Sequence, residues 1–141
     1  MRLLPLRLLD RLFAPPPRPM RVSWLTQQDY AHRGLHDEAV PENSPAAFAA
    51  AIDAGLGIEC DVQRTADRQV VVFHDWELDR LTGESGAVQL RDAASLGTVA
   101  LSANGEAIGT LDAMLDQVSG RAPILIEVKS RQELRVAAPC I

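Results

Sequence analysis

Two carboxylates lie two residues apart in the stretch "IECDVQ", Ile58 to Gln63, which is otherwise typical of a β-strand. Because side chains alternate along a strand, Glu59 and Asp61 point to one face and the apolar residues point to the other. Two negative charges so close repel each other unless a positive group lies between them. A divalent cation would satisfy both, and oxygen ligands without thiolate favour Ca²⁺ or Mg²⁺.

Reactive side chains also lie near the C-terminal ends of three other predicted strands: His32 and Arg33, His74 and Asp75, and Glu127 and Lys129. Because active sites of parallel α/β proteins lie at the carboxyl ends of the strands, the four strand ends together predict one site. Glu127 would complete a trio of acidic metal ligands, and His32 and His74 can act as general acid and base near neutral pH. Arg33 and Lys129 add positive charge that suits an anionic phosphate. The combination indicates chemistry on a phosphate ester.

Each of these residues taken alone has a plainer interpretation. Glu59 and Asp61 could form the solvated face of an edge strand. Glu127 and Lys129 could be a surface ion pair of little energetic value. A single histidine such as His32 is more often a hydrogen-bonded structural residue. We favour the functional interpretation because four strands agree.

Three further polar residues lie near the predicted site. We interpret Asp75 as a residue that supports the site or caps a loop. Glu42 could orient Arg33, or it could simply lie near a helix start, where negative charge is favourable. His36 has no partner that the sequence suggests, so we expect it to be a loop residue.

The elements that position the site follow the order strand, helix, strand, strand, helix, strand. The strands are predicted over residues 29–32, 57–65, 69–75 and 122–130. Residues 76–101 are predicted to form a loop with short turns of helix. Buried strands mixed with helices indicate an α/β protein with a largely parallel sheet.

Both predicted helices carry clear start and stop signals. Ser44 and Pro45 fit the N-cap and the first turn of one helix, and Gly55 ends it. Thr110 fits the N-cap of the other, which ends at Gly120. The buried stripes are expected at apolar positions three or four apart: Phe48 and Ile52 in the first helix, and Leu111, Met114, Leu115 and Val118 in the second.

Length and composition limit the protein classes. The 141 residues suffice for one domain with a core, and 47% hydrophobic with 23% charged residues is typical of a soluble globular protein. The net charge of −5 argues against a general nucleic-acid binder. Cys60 and Cys140 have no CxxC or Cys/His neighbour, so we expect no zinc site and a reducing, cytoplasmic location.

We expect residues 1–23 to be an extension rich in Leu, Arg and Pro, and residues 24–141 to be the domain. Pro5 and Asp10 interrupt the apolar run, so this segment is too short and too polar to span a bilayer. Its leucines, at positions 4, 8, 9 and 12, could form one face of a short amphipathic helix. We favour a docked or frayed extension over contact with a membrane surface through residues 1–15.

The motifs "HRG", "PENS", "IECDVQRTADRQVVVFHD" and "IEVK" in this order and spacing resemble the glycerophosphodiester phosphodiesterase family, from Ala31 to Ser130. The family is similar to phosphatidylinositol-specific phospholipases C in having a TIM (β/α)₈ barrel. Such a barrel typically needs about 250 residues. We therefore expect a fragment with about the first four strands of the barrel.

The resemblance implies a role for each site residue. His32 and His74 would be the catalytic acid and base, in an order that the sequence leaves open. Arg33 would hold the phosphate, and Lys129 would support phosphate or carboxylate charge. The divalent ion, Ca²⁺ or Mg²⁺, would be bound by three carboxylates: Glu59, Asp61 and Glu127.

The resemblance also implies the reaction. The glycerol 2-hydroxyl would attack phosphorus, the alcohol would leave, and water would open the cyclic phosphate to give glycerol 3-phosphate. Two alternatives stay open. One is a related phospholipase that acts on lysophospholipid headgroups, for which the N-terminal leucines and arginines give slight support. The other is a catalytically silent truncated fragment.

Overall fold

A computed structural model describes residues 18–130 of the chain. Its helices and strands are, in chain order, α1 (Pro19–Val22), β1 (Tyr30–Ala31), α2 (Pro45–Asp53), β2 (Gly57–Arg64), β3 (Val70–Val72), α3 (Ala93–Leu96), α4 (Leu111–Val118) and β4 (Ile124–Val128). Short 3₁₀ helices cover Ser23–Thr26 and Val88–Leu90. The predicted N-terminal leucine face and Cys140 lie outside the described residues. None of the described helices has the length and apolar character needed to cross a membrane.

Strand β2 is the centre of a four-stranded sheet. Strands β1 and β4 pair with it in parallel, whereas β3 pairs with it in antiparallel fashion. The sheet is therefore largely parallel, as predicted, and β3 is its one antiparallel strand among the described residues. Only residues 65–69 connect β2 to β3, and a parallel connection needs a crossover of about a dozen residues or more. Strand β3 also ends at Val72, so His74 and Asp75 follow the strand instead of ending it.

The two longer helices begin at the predicted caps. The Ser44 hydroxyl accepts a hydrogen bond from the Ala47 N–H at 3.1 Å, and Pro45 begins α2. Thr110 caps α4 in the same way, accepting from the Ala113 N–H at 3.2 Å. These hydroxyls satisfy backbone donors that the first helical turn leaves unpaired.

Helix α4 buries a narrower stripe than predicted. Met114 and Val118 are buried, but Leu115 is 42% exposed, so its predicted burial is wrong. Leu115 is turned about 100° around the helix axis from Met114, which takes it off the face that packs on α2 and β3. Leu111 is partly buried against the same core, so three of the four predicted positions fix this helix.

The apolar face of β2 forms the core that the alternation predicted. Ile58, Cys60 and Val62 are buried against Phe48 of α2 and Met114 of α4. Burial, with a smaller contribution from the neighbouring carboxylates, raises the pKa of the Cys60 thiol to about 12. The thiol is therefore protonated and unreactive at neutral pH. Glu59 and Asp61 are left on the opposite face of the strand.

A second apolar cluster lies under the long connection between β3 and α4. Its buried residues include Phe73, Leu78, Val88 and Leu96. This cluster holds the loop with short helices that the sequence predicted. As a result, the loop that begins at the end of β3 has a fixed path beside the strand ends.

The alternation of parallel strands with helices over β1, α2, β2, α4 and β4 is the arrangement of a (β/α)₈ barrel. The described residues supply three parallel strands of it, β1, β2 and β4, and the antiparallel β3 is paired with β2. On β4, Ile126 is 42% and Val128 71% exposed, because no described element packs over that face. The predicted partial barrel is confirmed.

Candidate active site

The three predicted acidic ligands lie together at the end of the sheet. The parallel pairing of β2 and β4 places Asp61 directly opposite Glu127, and Glu59 lies two residues earlier on the same face of β2. One carboxylate oxygen from each of the three lies within 4.8 Å of the others. Asp61 is 1% exposed, whereas Glu127 is open to solvent.

Asp61 is the most heavily supported carboxylate of the trio. One of its oxygens accepts from the Asn43 amide at 3.1 Å and lies 3.3 Å from Arg33 Nε. Its other oxygen lies 3.1 Å from Lys129 Nζ. Its backbone N–H donates to Asn43 Oδ1 at 3.2 Å. A buried carboxylate is tolerated only with such partners, because burial removes its hydration.

Lys129 joins the trio through its side chain. Its ammonium lies 2.6 Å from Glu127 Oε1 as well as close to Asp61. The hydrogen bond to Glu127, with support from Asp61, raises the pKa of Lys129 above its usual value against the opposing effect of burial. Its backbone N–H donates to the Val62 carbonyl at 2.9 Å and so extends the ladder between β2 and β4. The predicted phosphate-binding lysine thus lies beside the predicted metal ligands.

The turn after β1 positions Arg33. Arg33 adopts φ of 58° and Gly34 follows at 79°, both in the left-handed region. The turn points the Arg33 backbone N–H at Glu59, and this N–H donates a hydrogen bond of ordinary length, 3.0 Å, to Glu59 Oε2. The Arg33 guanidinium donates to Glu42 Oε1 at 2.9 Å. His32, which directly follows β1, is exposed.

Gly34 is required in this turn for two separable reasons, its positive φ and its close approach to α2. A Cβ added at Gly34 would lie 2.8 Å from Ala47 Cβ and 2.9 Å from the Ala47 carbonyl carbon. Gly105 has nearly the same φ, 77°, but nothing lies within 4 Å of an added Cβ. We expect Gly34→Ala to lower the free energy of unfolding by about 1–3 kcal/mol more than Gly105→Ala, measured by urea denaturation. Equal losses in the two variants would show that only φ matters.

His74 is paired with the carboxylate next to it. His74 Nδ1 lies 2.6 Å from Asp75 Oδ1. Hydrogen bonds from Arg80, and a weaker contribution from His74, lower the pKa of Asp75 to about 2 against the effect of burial. Asp75 is therefore a carboxylate at neutral pH and can only accept, so the shared hydrogen lies on Nδ1. His74 Nε2 is then left to accept a proton.

Glu42 lies between two guanidinium groups. It is 9% exposed and accepts from Arg33 at 2.9 Å and from Arg80 at 2.7 and 3.0 Å. Burial alone would raise the pKa of Glu42, but the hydrogen bonds and charges of Arg80 and Arg33 outweigh it, and the pKa lies below the usual value. The hydrogen bond to Arg33 is the contact that Glu42 would need in order to orient Arg33.

Sequence reasoning missed three polar residues of this region: Asn43, Gln63 and Arg80. Gln63 is buried and donates to the carbonyls of Phe73 and Asp75 at 2.9 and 2.6 Å, which fixes the chain around His74. The sequence did contain a signal for Gln63, because it continues the alternation that already places Glu59 and Asp61 on one face of the strand. Asn43 belongs to the motif "PENS", but its pairing with Asp61 depends on the fold.

An open cleft of about 380 Å³ borders His74. It is lined by side chains from the loop after β3 and by the end of β4: His74, Asp75, Trp76, Glu77, Asp79, Arg80 and Lys129. His36 lines a different cleft, with Glu38 and Ser102, and is exposed, as expected for a loop residue. A small anionic ester could therefore approach His74 and Lys129 together from solvent.

Fold and site together define the class of this protein. It is part of a (β/α)₈ barrel that gathers carboxylates, a carboxylate-paired histidine and two cations at its strand ends. The model of the glycerophosphoryl diester phosphodiesterase family matches residues 32–138, a span that contains every residue of the candidate site. The chain belongs to this family, and the resemblance seen in the motifs is confirmed.

Related proteins match about seven tenths of the chain. It is 44% identical to the Bacillus subtilis protein YhdW over 108 residues, which are 70% of this chain and 43% of YhdW. A crystal structure of a glycerophosphodiester phosphodiesterase from Agrobacterium tumefaciens is 35% identical, with a TM-score of 0.67 over 73% of this chain and 47% of that chain. A phosphodiesterase from Oleispira antarctica, solved with the product sn-glycerol-3-phosphate, is 30% identical, with a TM-score of 0.67 over 72% of this chain and 44% of that chain. The chain thus spans less than half the length of each of these relatives.

Proposed function

We propose that this chain carries the catalytic residues for metal-dependent hydrolysis of glycerophosphodiesters to glycerol 3-phosphate and an alcohol. The observation that carries the proposal is the convergence of three carboxylate oxygens within 4.8 Å next to two cationic side chains. A structural relative that holds sn-glycerol-3-phosphate as its product supports the choice of substrate. The boundary of the domain at residue 24 and the cytoplasmic location stay predictions.

The acidic trio suits a hard divalent ion. Glu59, Asp61 and Glu127 offer only carboxylate oxygens, which Ca²⁺ and Mg²⁺ prefer and which the softer transition metals do not require. Asp61 would be the fixed ligand because it is buried, and Glu127 the adaptable one because it is exposed. When bound, the ion would stabilise negative charge on the phosphoryl oxygens and lower the pKa of a nearby hydroxyl.

Arg33 and Lys129 would bind the phosphate. Both side chains lie within 3.3 Å of Asp61, so both are held beside the acidic trio. The phosphoryl oxygens would bind there. Arg33 offers a planar fork that matches two oxygens of a phosphate, while Lys129 acts as a point charge. Fixed positive charge in a site that is already built stabilises the charge that develops in the transition state.

In the first step, we assign the base role to His74. Its free Nε2 would take the proton of the glycerol 2-hydroxyl as that oxygen attacks phosphorus. The bond from phosphorus to the alcohol oxygen breaks, and His32 would donate a proton to the leaving alcohol. Asp75, ionised at neutral pH, would stabilise the imidazolium that forms on His74.

In the second step, the two histidines exchange roles. His32, now without its proton, would take a proton from water as the water oxygen attacks the cyclic phosphate. His74 would return its proton to the glycerol 2-oxygen as the bond from that oxygen to phosphorus breaks. The product is glycerol 3-phosphate, and both histidines regain their initial state.

The direct test is the release of glycerol 3-phosphate from glycerophosphocholine with and without EDTA. We expect turnover in Ca²⁺ or Mg²⁺ and its loss in EDTA, because Arg33 and Lys129 alone would have to balance the charge on the phosphoryl oxygens once the ion is removed. Excess metal added back should restore the rate. An EDTA-resistant rate would contradict the metal requirement.

The same assay separates the alternatives. Absence of turnover in every metal would favour the catalytically silent fragment. Faster release from lysophosphatidylcholine than from glycerophosphocholine would favour the phospholipase. In that case, deletion of residues 1–20 followed by vesicle sedimentation would test whether the N-terminal extension contributes membrane-surface contact.

A further inference from the structure

Arg80 connects the two halves of the candidate site. Its Nε and Nη2 donate to the two oxygens of Asp75 at 2.5 and 3.0 Å. Its Nη1 and Nη2 donate to the two oxygens of Glu42 at 3.0 and 2.7 Å. One guanidinium therefore binds two carboxylates, each through both oxygens.

These two carboxylates are the supports of two site residues. Asp75 is hydrogen-bonded to His74 Nδ1, and Glu42 accepts from Arg33 at an oxygen that Arg80 also contacts. The chain of contacts runs from His74 through Asp75, Arg80 and Glu42 to Arg33. A displacement of the Arg80 guanidinium would therefore change the positions of both His74 and Arg33.

The surroundings argue against a purely structural role for Arg80. Its side chain is 49% exposed, so solvent screens the guanidinium charge in its ion pairs with Asp75 and with the buried Glu42. The chain on either side is already anchored, because Leu78 and Thr82 are buried. Thr82 is fixed further by hydrogen bonds between its hydroxyl and the Leu78 carbonyl and Glu84 N–H. The backbone at Arg80 is thus held without its guanidinium.

We propose that Arg80 is a positioning residue that orients His74 through Asp75 and Arg33 through Glu42. The inference rests on the proposed function for its effect on turnover, but not for its effect on the histidine. Arginine is required because only a planar fork can bind two carboxylates with both oxygens of each. A lysine would keep the charge and lose the geometry.

The test compares Arg80→Ala and Arg80→Lys with Arg91→Ala. Arg91 is a matched control, since it lies in the same loop and pairs with Glu84, away from His74. The first measurement needs no turnover: ¹H–¹⁵N spectra of the histidine rings report which nitrogen carries hydrogen. The chain has three histidines, and His74→Ala assigns the signals of His74. The second measurement is kcat/KM for glycerophosphocholine, with circular dichroism as the check of folding.

We expect Arg80→Ala to move the His74 ring signals from the Nδ1–H form toward a mixture of forms. It should also lower kcat/KM about tenfold to a hundredfold, as is typical when the partners of site residues are removed. The His74 ring signals and the kcat/KM of Arg80→Lys should lie between those of Arg80→Ala and those of the unchanged chain. Both measurements on Arg91→Ala should match those on the unchanged chain. If Arg80→Ala is not folded, Arg80→Lys is judged by the same two measurements.

The proposal is overturned if the His74 ring signals in the Arg80 variant are those of the Arg91 variant. It is equally overturned if folded Arg80→Ala keeps the full kcat/KM of an active chain. If the unchanged chain shows no turnover in any metal, the proposed function fails, and the histidine spectra still decide the role of Arg80.

Discussion

Replacing His74 by alanine is expected to lower kcat/KM for glycerophosphocholine by about 10² to 10⁴-fold, the contribution typical of a positioned acid or base. His74 is the histidine whose Nδ1 is paired with a carboxylate, and in the proposed mechanism its Nε2 accepts the proton. In that mechanism, its loss removes the acceptor for the 2-hydroxyl proton. The measurement is steady-state release of glycerol 3-phosphate.

His36→Ala is the matched control for this prediction. His36 is exposed in a loop and lines a different cleft, so its loss should leave the rate unchanged. His32→Ala should lower kcat/KM by a factor in the same range as His74→Ala if the two histidines act as an acid–base pair. A His74→Ala variant that turns over like His36→Ala would contradict the assignment of His74 as a proton-transfer group.

The site could be predicted from the sequence wherever it depends on local geometry. Alternation along β2 placed Glu59 and Asp61 on the face opposite Cys60, and the structure has this arrangement. The N-caps at Ser44 and Thr110 followed from hydroxyl side chains at the first turns. Such features depend on neighbouring residues alone, so the order of residues along the chain is enough to predict them.

Strand direction and long-range pairing were harder to predict. The antiparallel pairing of β3 followed from the short connection over residues 65–69, a signal that the strand–helix alternation elsewhere obscured. Arg80 had no signal, because its position beside Glu42 depends on the path of a loop held by a separate apolar cluster. Contacts between residues 38 positions apart cannot be read from local spacing.

Asp61→Asn is expected to weaken Ca²⁺ binding by at least about a hundredfold, the upper end of what is lost when residues just behind metal ligands are changed. Asp61 is the buried member of the acidic trio, so its loss removes the proposed ligand that the fold holds most rigidly. Isothermal titration calorimetry with Ca²⁺ alone measures this effect without substrate. Asp116→Asn, an exposed carboxylate on α4, is the control for a general change in net charge.

The charge balance around Asp61 explains why this effect should exceed that of a lost oxygen. Arg33 Nε and Lys129 Nζ both lie within 3.3 Å of Asp61, and each has a second carboxylate partner, Glu42 for Arg33 and Glu127 for Lys129. An arriving divalent ion would then face two cations and only two carboxylates, in a partly buried region where charges interact more strongly than in water. Asp61→Asn with Lys129→Met should therefore bind Ca²⁺ more tightly than Asp61→Asn alone. Equal affinities in these two variants would mean that Asp61 acts as a ligand only and that its charge does not offset the cations around it.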